Sequence, residues 1–371
     1  MKFSIEKKDL QNSIQYLFSI IPSKNAMPVL TNYLIEADEQ ANTITFTATD
    51  LEITVISTFN ASVIASGKIA VSARNLTEII NSLPDALINF MLDDEELVIK
   101  CKQSNFKLLC AEVSQFPLIP QVDESRAISI NAQMFKKMID NTTFAVSTER
   151  NRPIFTGIYW KMNSKEQVMV ATDGKKIAEF KLFNAFDIEK PIEQVIPTKG
   201  LIFLDKVIDD IDEVSVLIES NRVMFKYGQY TVFTHILEGQ FPDYTKAMPT
   251  DNNNLLKVDK ILLRDAVKRV SLLASEDTNK IKFDIRKDTI SIESTKQEEG
   301  EANEKIDEFE FNGEEISIAF NYKFLISILN VIETKKVEMH LGQSTQPVLF
   351  YNTEQHEEYS ARFLLMPLRL Q

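Results

Sequence analysis

The residue types that do chemistry are thinly spread in this chain. There are three histidines, His235, His340 and His356. None stands within a metal-ligand spacing of another histidine or of a cysteine. His235 lies in an alternating run and is expected to be structural. No G-x-S-x-G elbow occurs. Gly174-Lys175-Lys176 lacks the earlier glycine and the following Ser/Thr of a phosphate loop. Cys110 sits in an apolar run with no acid-to-histidine relay nearby and is expected in the core. Asp50 and Asp173 recur in similar surroundings, TATD and VATD. A catalytic pair would need them to converge. The simpler expectation is that each bonds its own turn backbone. No catalytic residue, cofactor or metal is expected.

Basic residues are more suggestive. Lys260, Arg264 and Lys268 fall at i, i+4 and i+8, one stripe of one helix face, with Arg269 beside it. Lys257 to Val270 holds five basic and two acidic residues, net +3, in a chain of net charge -13. Arg74, Lys199 and Lys323 each stand two residues before a leucine that opens a helix-like run. Lys24, Arg150 and Arg152 follow earlier helix-like runs. Cations returning at equivalent places in an acidic chain suggest a phosphate-binding wall that reads no bases. The expected DNA-facing set is Lys24, Arg74, Arg150, Lys199, Lys260, Arg264 and Lys268.

The elements that carry these residues repeat three times. Phe3-Ser4-Ile5, Ile128-Ser129-Ile130 and Leu256-Lys257-Val258 each read as a short strand. Apolar residues at helical spacing follow: Leu10, Ile14 and Leu17; Phe135, Met138 and Ile139; Leu263, Val267 and Val270. Asn131 and Asp259 stand where the second and third helices need a cap, and Glu6 is a weaker cap for the first. A second helix opens near Ser72, Pro197 and Phe320. Offsets between equivalents stay near 125, as from Leu10 to Phe135 and from Arg74 to Lys199. Alternating runs between the helices predict strands, among them Tyr33–Ala37, Thr43–Ala48, Phe106–Ala111, Gln167–Ala171, Tyr230–Leu237 and Val337–Leu341. Asp173-Gly174 predicts a hairpin turn. Gln115-Phe116-Pro117 and Gln240-Phe241-Pro242 mark the joints. The expected architecture is α+β, in three tandem domains at 1–124, 125–252 and 253–371. Lys296 to Asp307 (KQEEGEANEKID) is expected as a solvated strand connection, with acidic contacts to a partner as the alternative.

The totals agree with a protein of several soluble domains. At 371 residues two or three cores fit. Only 9 glycines are present, too few for several glycine-rich loops. No apolar run approaches membrane-spanning length, and MKFSIEKKDL is charged where a signal peptide needs its apolar region. Two cysteines suggest no disulfide framework, so a cytoplasmic setting without membrane contact is expected.

The order MPVLTNYL, ATDLEI, VATDGKKIAEF, IPTKG, GQFPDY, FN and LLMPLRL resembles the bacterial DNA polymerase III beta subunit family, the beta sliding clamps, along the whole chain. The resemblance implies the DNA clamp fold: three similar domains, each with two helices on sheets, forming a crescent. Two chains would close head to tail as a ring around duplex DNA, held without sequence preference. It implies processivity for the replicative polymerase and no chemistry. The implied partners are the polymerase alpha subunit, the clamp loader, other polymerases and repair proteins. Their short motifs, ending in leucine and an aromatic or aliphatic residue, would enter a cleft between the second and third domains. By matching position that cleft comprises Arg152, Phe155, Thr172, Gly174, Lys175, Lys176, Ile177, Pro242, Lys246, Ala247, Asn321, Phe324, Val348, Leu364, Met366, Pro367, Leu368, Arg369 and Leu370. Lys175, Ala247 and Phe324 depart from the residues common there, and Gln371 extends past the usual end. The implied dimer interface is Phe106 with Leu272 and Leu273, which as a bland alternative would be core. Glu298, Glu299, Glu301 and Glu304 facing Lys100, Lys102 or Lys107 would add rim charge. The readings from other classes are a carbohydrate-active enzyme using paired carboxylates and a scaffold with no DNA role.

Overall fold

The structure, a computed structural model, describes residues 1–23, 26–149, 151–183, 191–296, 299–354 and 356–370. Two compact units emerge: 1–136 with 199–236, and 137–198 with 237–371. Lys24 and Arg150 of the expected DNA-facing set lie outside the described residues, as do Glu298 and Gln371.

The described residues contain six α-helices, two for each sequence repeat: α1 (Lys7–Phe18), α2 (Ala73–Ser82), α3 (Ala132–Thr143), α4 (Thr198–Val207), α5 (Lys260–Val270) and α6 (Tyr322–Val331). Their apolar stripes are the ones that the periodicity marks. Leu10, Ile14 and Leu17 are buried on α1, Phe135, Met138 and Ile139 on α3, and Leu263, Val267 and Val270 on α5. The caps also follow. Asn131 Oδ1 accepts from the Met134 N–H at 2.9 Å, and Asp259 Oδ1 accepts from Ile261 and Leu262. Glu6 makes no side-chain cap bond, so α1 starts without one. Ser72 and Asn321 cap α2 and α6.

The far ends of the second helices are closed by lysines from the first. Lys7 Nζ donates to Leu83 O, Lys136 Nζ to Ile208 O at 3.1 Å, and Lys260 Nζ to Ile332 O at 2.5 Å. Leu83, Ile208 and Ile332 are equivalent residues, each just past a helix. A cation there meets the negative end of the helix dipole and an orphan carbonyl. Periodicity does not predict this use. Lys260, expected to face DNA, has its ammonium committed to the α6 terminus.

In unit 1 the described strands make one thirteen-stranded sheet, and in unit 2 one nine-stranded and one four-stranded sheet. Each large sheet is continuous across a joint between repeats. In unit 1, Tyr230–His235 pairs antiparallel with Ile53–Asn60, from Tyr230↔Ser57 to Thr234↔Ile53. In unit 2, Lys176–Phe183 pairs with Tyr359–Leu365, from Lys176↔Leu365 to Leu182↔Tyr359. The units follow these sheets, so the middle repeat is divided between them.

Several expectations change. Gly300–Ile306 is a strand paired with Ile290–Lys296 at the edge of the four-stranded sheet, so the acidic stretch is more than a connection. Its alternation is carried by Ala302, Glu304 and Ile306, where a glutamate hides the period. The strand expected to run to Leu237 ends at His235, which is exposed. Cys110 is only half-buried, while Cys101 is fully buried. Burial pushes the Cys110 thiol up from its ordinary value, despite a hydrogen bond involving the Leu97 backbone. Strands such as Ile53–Asn60, Leu87–Asp93, Arg222–Tyr227 and Val348–Asn352 were not among those expected. Their mixed burial masks the period that a one-sided strand shows.

Candidate functional site

The site is built outward from the turn at Asp173. Asp173 Oδ1 accepts from the Lys175 N–H at 2.8 Å and the Lys176 N–H at 3.0 Å. Thr172 Oγ1 donates to Lys176 O and accepts from the Gly174 N–H. Asp50 and Thr49 make the same four bonds to Glu52, Ile53 and Leu51. Both aspartates are therefore turn residues. Gly174 takes φ +85° without strain, but its counterpart Leu51 takes φ +78°. The free carboxylate oxygens differ as well. Asp50 Oδ2 accepts from Lys199 Nζ, and Asp173 Oδ2 accepts from Lys176 Nζ at 2.5 Å.

Lys176 is buried to 5% exposure, and its ammonium also lies 4.3 Å from the centre of the Phe324 ring. It thus ties the turn to α6 through an ion pair and a cation–π contact. The Met366 N–H donates to Lys175 O at 2.9 Å, and the Leu368 N–H donates to Ala319 O at 2.7 Å. Lys280 Nζ donates to Leu370 O at 3.3 Å. The C-terminal segment is therefore held along the turn and beside α6.

Beneath the turn is an apolar cluster of Val168, Val170, Ile177, Val195, Phe241, Leu349 and Leu364, fringed by partly buried Phe155, Tyr159, Tyr244, Met248 and others. Ile177 and Leu364 are register partners across the repeat joint. Phe241, from the Phe-Pro joint, stacks on Tyr159 at 5.0 Å and meets Phe155 edge-on at 6.1 Å. Tyr244 of the same joint donates to Glu179 Oε2 at 2.6 Å. Glu179, 1% exposed, also receives Arg362 Nη2 at 2.9 Å. Burial, and then the Glu179 charge, push the Tyr244 phenol up, so it remains a donor. Sequence reasoning missed Glu179, Arg362 and Leu349; a lone acid in an otherwise apolar strand was the available signal.

The expected cleft residues separate by exposure. Thr172, Lys176, Ile177, Val348 and Leu364 are buried. Val348 is fully buried and offers no surface. Phe155, Asn321, Phe324, Pro367 and Leu368 are half-buried, whereas Arg152, Gly174, Lys175, Pro242, Lys246, Ala247, Met366, Arg369 and Leu370 are exposed. The result is a groove with an apolar floor and a basic rim. Asp243, the acid on that rim, is paired with Lys246 at 3.5 Å.

The other candidate residues lie on single elements. Arg74 on α2 and Lys268 on α5 are exposed, with no partner among the described residues. Arg264 Nε donates to Asp265, and Lys199 is paired with Asp50. Leu272 is 79% exposed, which rules out the core reading for it, while Leu273 and Phe106 are half-buried. Lys107 is paired with Glu96, Glu299 with Lys296, and Glu304 with Arg269. Lys100, Lys102 and Glu301 are exposed and have no such partner among the described residues.

Comparison with known proteins gives three consecutive family matches: the DNA polymerase III beta subunit N-terminal domain over residues 1–120, its central domain over 129–243 and its C-terminal domain over 245–369. The beta sliding clamp of Bacillus subtilis is 31% identical over 361 residues, covering 94% of this chain and 95% of that protein. This chain belongs to the beta sliding clamp family. The Pseudomonas aeruginosa beta sliding clamp is 28% identical over 373 residues, with both chains fully covered. Among solved structures, the Bacillus subtilis clamp superposes with TM-score 0.93 at 29% identity, and a Pseudomonas aeruginosa clamp with TM-score 0.92 at 27%, each over the full length of both chains. Another Pseudomonas aeruginosa clamp, TM-score 0.93, was solved bound to griselimycin. The beta-clamp fold accounts for the threefold repeat and for the paired helices of each part. Neither the carbohydrate-enzyme nor the plain-scaffold reading finds support in these likenesses.

Proposed function

We propose that this chain is a DNA sliding clamp: two copies close head to tail around duplex DNA and hold the replicative polymerase on its template. The carrying observation is the end-to-end likeness to solved clamps through all three repeats, boundaries near 124 and 252 included in the proposal. Ring closure holds by topology. The inner wall then needs only weak phosphate contacts, which permit sliding. Arg74 and Lys268, exposed and unpaired, suit that role; Lys260 and Lys199 suit it less, because their ammonium groups are already engaged.

Two free strand edges support the dimer. Ser104–Ala111 pairs fully with Glu96–Cys101 but meets Gly67–Ser72 only at Cys110 and Ala111, leaving the rest of one edge open. Gly300–Ile306 pairs on one side alone. Leu272, exposed on the short turn after α5, supplies apolar area. Open edges invite pairing with another chain. The apolar groove with its basic rim suits short partner motifs that insert an apolar anchor, from polymerases, the clamp loader and repair proteins. The role needs no catalysis, and the chain acts in the cytoplasm where the replication machinery works. Among the described helices none is long and apolar enough to cross a membrane.

The test is retention. Protein loaded on a nicked circular plasmid is expected to co-elute with it after a high-salt wash and to be released when the plasmid is linearised. Retention unchanged by linearisation would show binding without encirclement.

A further inference from the structure

The floor of the groove continues along one sheet face into a second cleft of unit 2. Strand alternation puts Ile177 and Glu179 on one face, opposite Leu364 and Arg362. Leu349 and Tyr351 continue that face on the next strand, as partners of the same Leu364 and Arg362. Two residues further along, at about 3.3 Å per residue, the face opens into a cleft of about 490 Å³ lined by Phe183, Glu338, His340, Tyr351, Glu354 and His356, among others.

The cleft offers rings and carboxylates. His340 lies 4.9 Å from the Tyr351 ring, and His356 stacks on Tyr359 at 4.2 Å and 17°. Phe183 is 46% exposed. Glu354 is exposed with no partner among the described residues, and Glu357 and Glu358 beside it are exposed too. Glu338 accepts from Lys257 and contacts His340. Arg362, the one Lys or Arg lining the cleft, is taken up by Glu179. Ring faces next to unpaired carboxylates attract cations. The chain itself seats ammonium groups this way, with Lys137 4.1 Å from the Tyr359 ring centre and Lys176 over Phe324. An anionic ligand would be opposed by Glu354.

We propose that this cleft extends the peptide groove and takes an arginine side chain of the same partner segment, two to four residues from its apolar anchor. The proposal rests on the groove reading above. The spacing follows from the four residues between Leu364 and Ser360, which an extended peptide covers in about as many.

The test uses the full-length protein and fluorescein-labelled peptides that end in Leu-Phe. Each carries one arginine two, three or four residues before the leucine, or citrulline at that position, which keeps the shape and removes the charge. At one spacing the arginine peptide is expected to bind about three- to tenfold more tightly than its citrulline twin. The Glu354→Gln, His356→Ala double variant, altered only at exposed residues, is expected to bring that ratio near one while leaving the citrulline peptide's affinity unchanged. If the peptides bind but the ratio is near one at every spacing, the arginine cleft is wrong and the groove stands. A ratio that survives in the double variant places the attraction elsewhere and also overturns the cleft. If no Leu-Phe peptide binds in any form, the groove reading fails and takes the cleft with it.

Discussion

Single residues decide how the two repeated turns differ. Gly174 at φ +85° occupies a conformation that costs an L side chain about 1–2 kcal/mol. A methyl there would sit 3.8 Å from Arg152 Nη1, an ordinary contact, so the penalty is backbone strain alone. Gly174→Ala is expected to lower stability by about 1 kcal/mol, read by urea denaturation; an unchanged midpoint would contradict the strain argument. Lys7 is a sharper case. It is 7% exposed and its ammonium closes the end of α2. Lys7→Met keeps the stem and leaves the carbonyls unmet, at a cost of about 1–2 kcal/mol. The same denaturation series would show it. Replacing Arg74 by Ala is expected to weaken retention on circular DNA by about one counterion in a salt titration. Lys199→Ala should change the salt slope less, since Asp50 already offsets that charge.

At the scale of elements, the joints carry the consequences. Phe241 is 9% exposed between Tyr159 and Phe155, so Phe241→Ala is expected to destabilise unit 2 by about 3 kcal/mol. A loss under 1 kcal/mol would mean the connector is not anchored there. The edge strand Gly300–Ile306 is tied to α5 by Arg269, whose Nη2 donates to Glu304 Oε1 at 2.5 Å. That guanidinium holds the Glu304 carboxyl below the usual carboxylate range, against a smaller opposing effect of burial. A lowered folded value stabilises above the unfolded carboxyl's value, about 4.3, and the contribution is lost as pH falls through the lower folded value. Protection of the 300–306 amides should therefore drop below about pH 4, and Glu304→Gln should remove that step. A pH profile identical in the two proteins would sink the idea.

For the whole molecule, the proposed ring depends on Leu272. Placing a charge on so exposed a leucine leaves the fold intact but buries a carboxylate if two copies meet there. Leu272→Asp is expected to shift sedimentation from dimer to monomer without loss of thermal stability. A dimer that persists would move the interface elsewhere.

The sequence by itself determined the threefold repeat, the helix faces, the caps at Asn131 and Asp259 and the turns at Asp50 and Asp173. These are local: a helix stripe, a cap or an Asx turn is set by residues within a few positions of one another. The family resemblance, carried by motifs in order along the chain, was legible for the same reason. Tertiary structure decided what depends on distant partners. It joined the repeats through Tyr230–His235 on Ile53–Asn60 and through Tyr359–Leu365 on Lys176–Phe183, pairings more than 170 residues apart in chain order that no period announces. It also sorted the cations, which look alike in sequence. Lys260 closes a helix, Lys199 meets Asp50, Lys176 lies under Phe324, and Arg74 and Lys268 stay free. A lysine's role follows from which carbonyl, carboxylate or ring the fold brings to its ammonium, and only folding at long range supplies that neighbour.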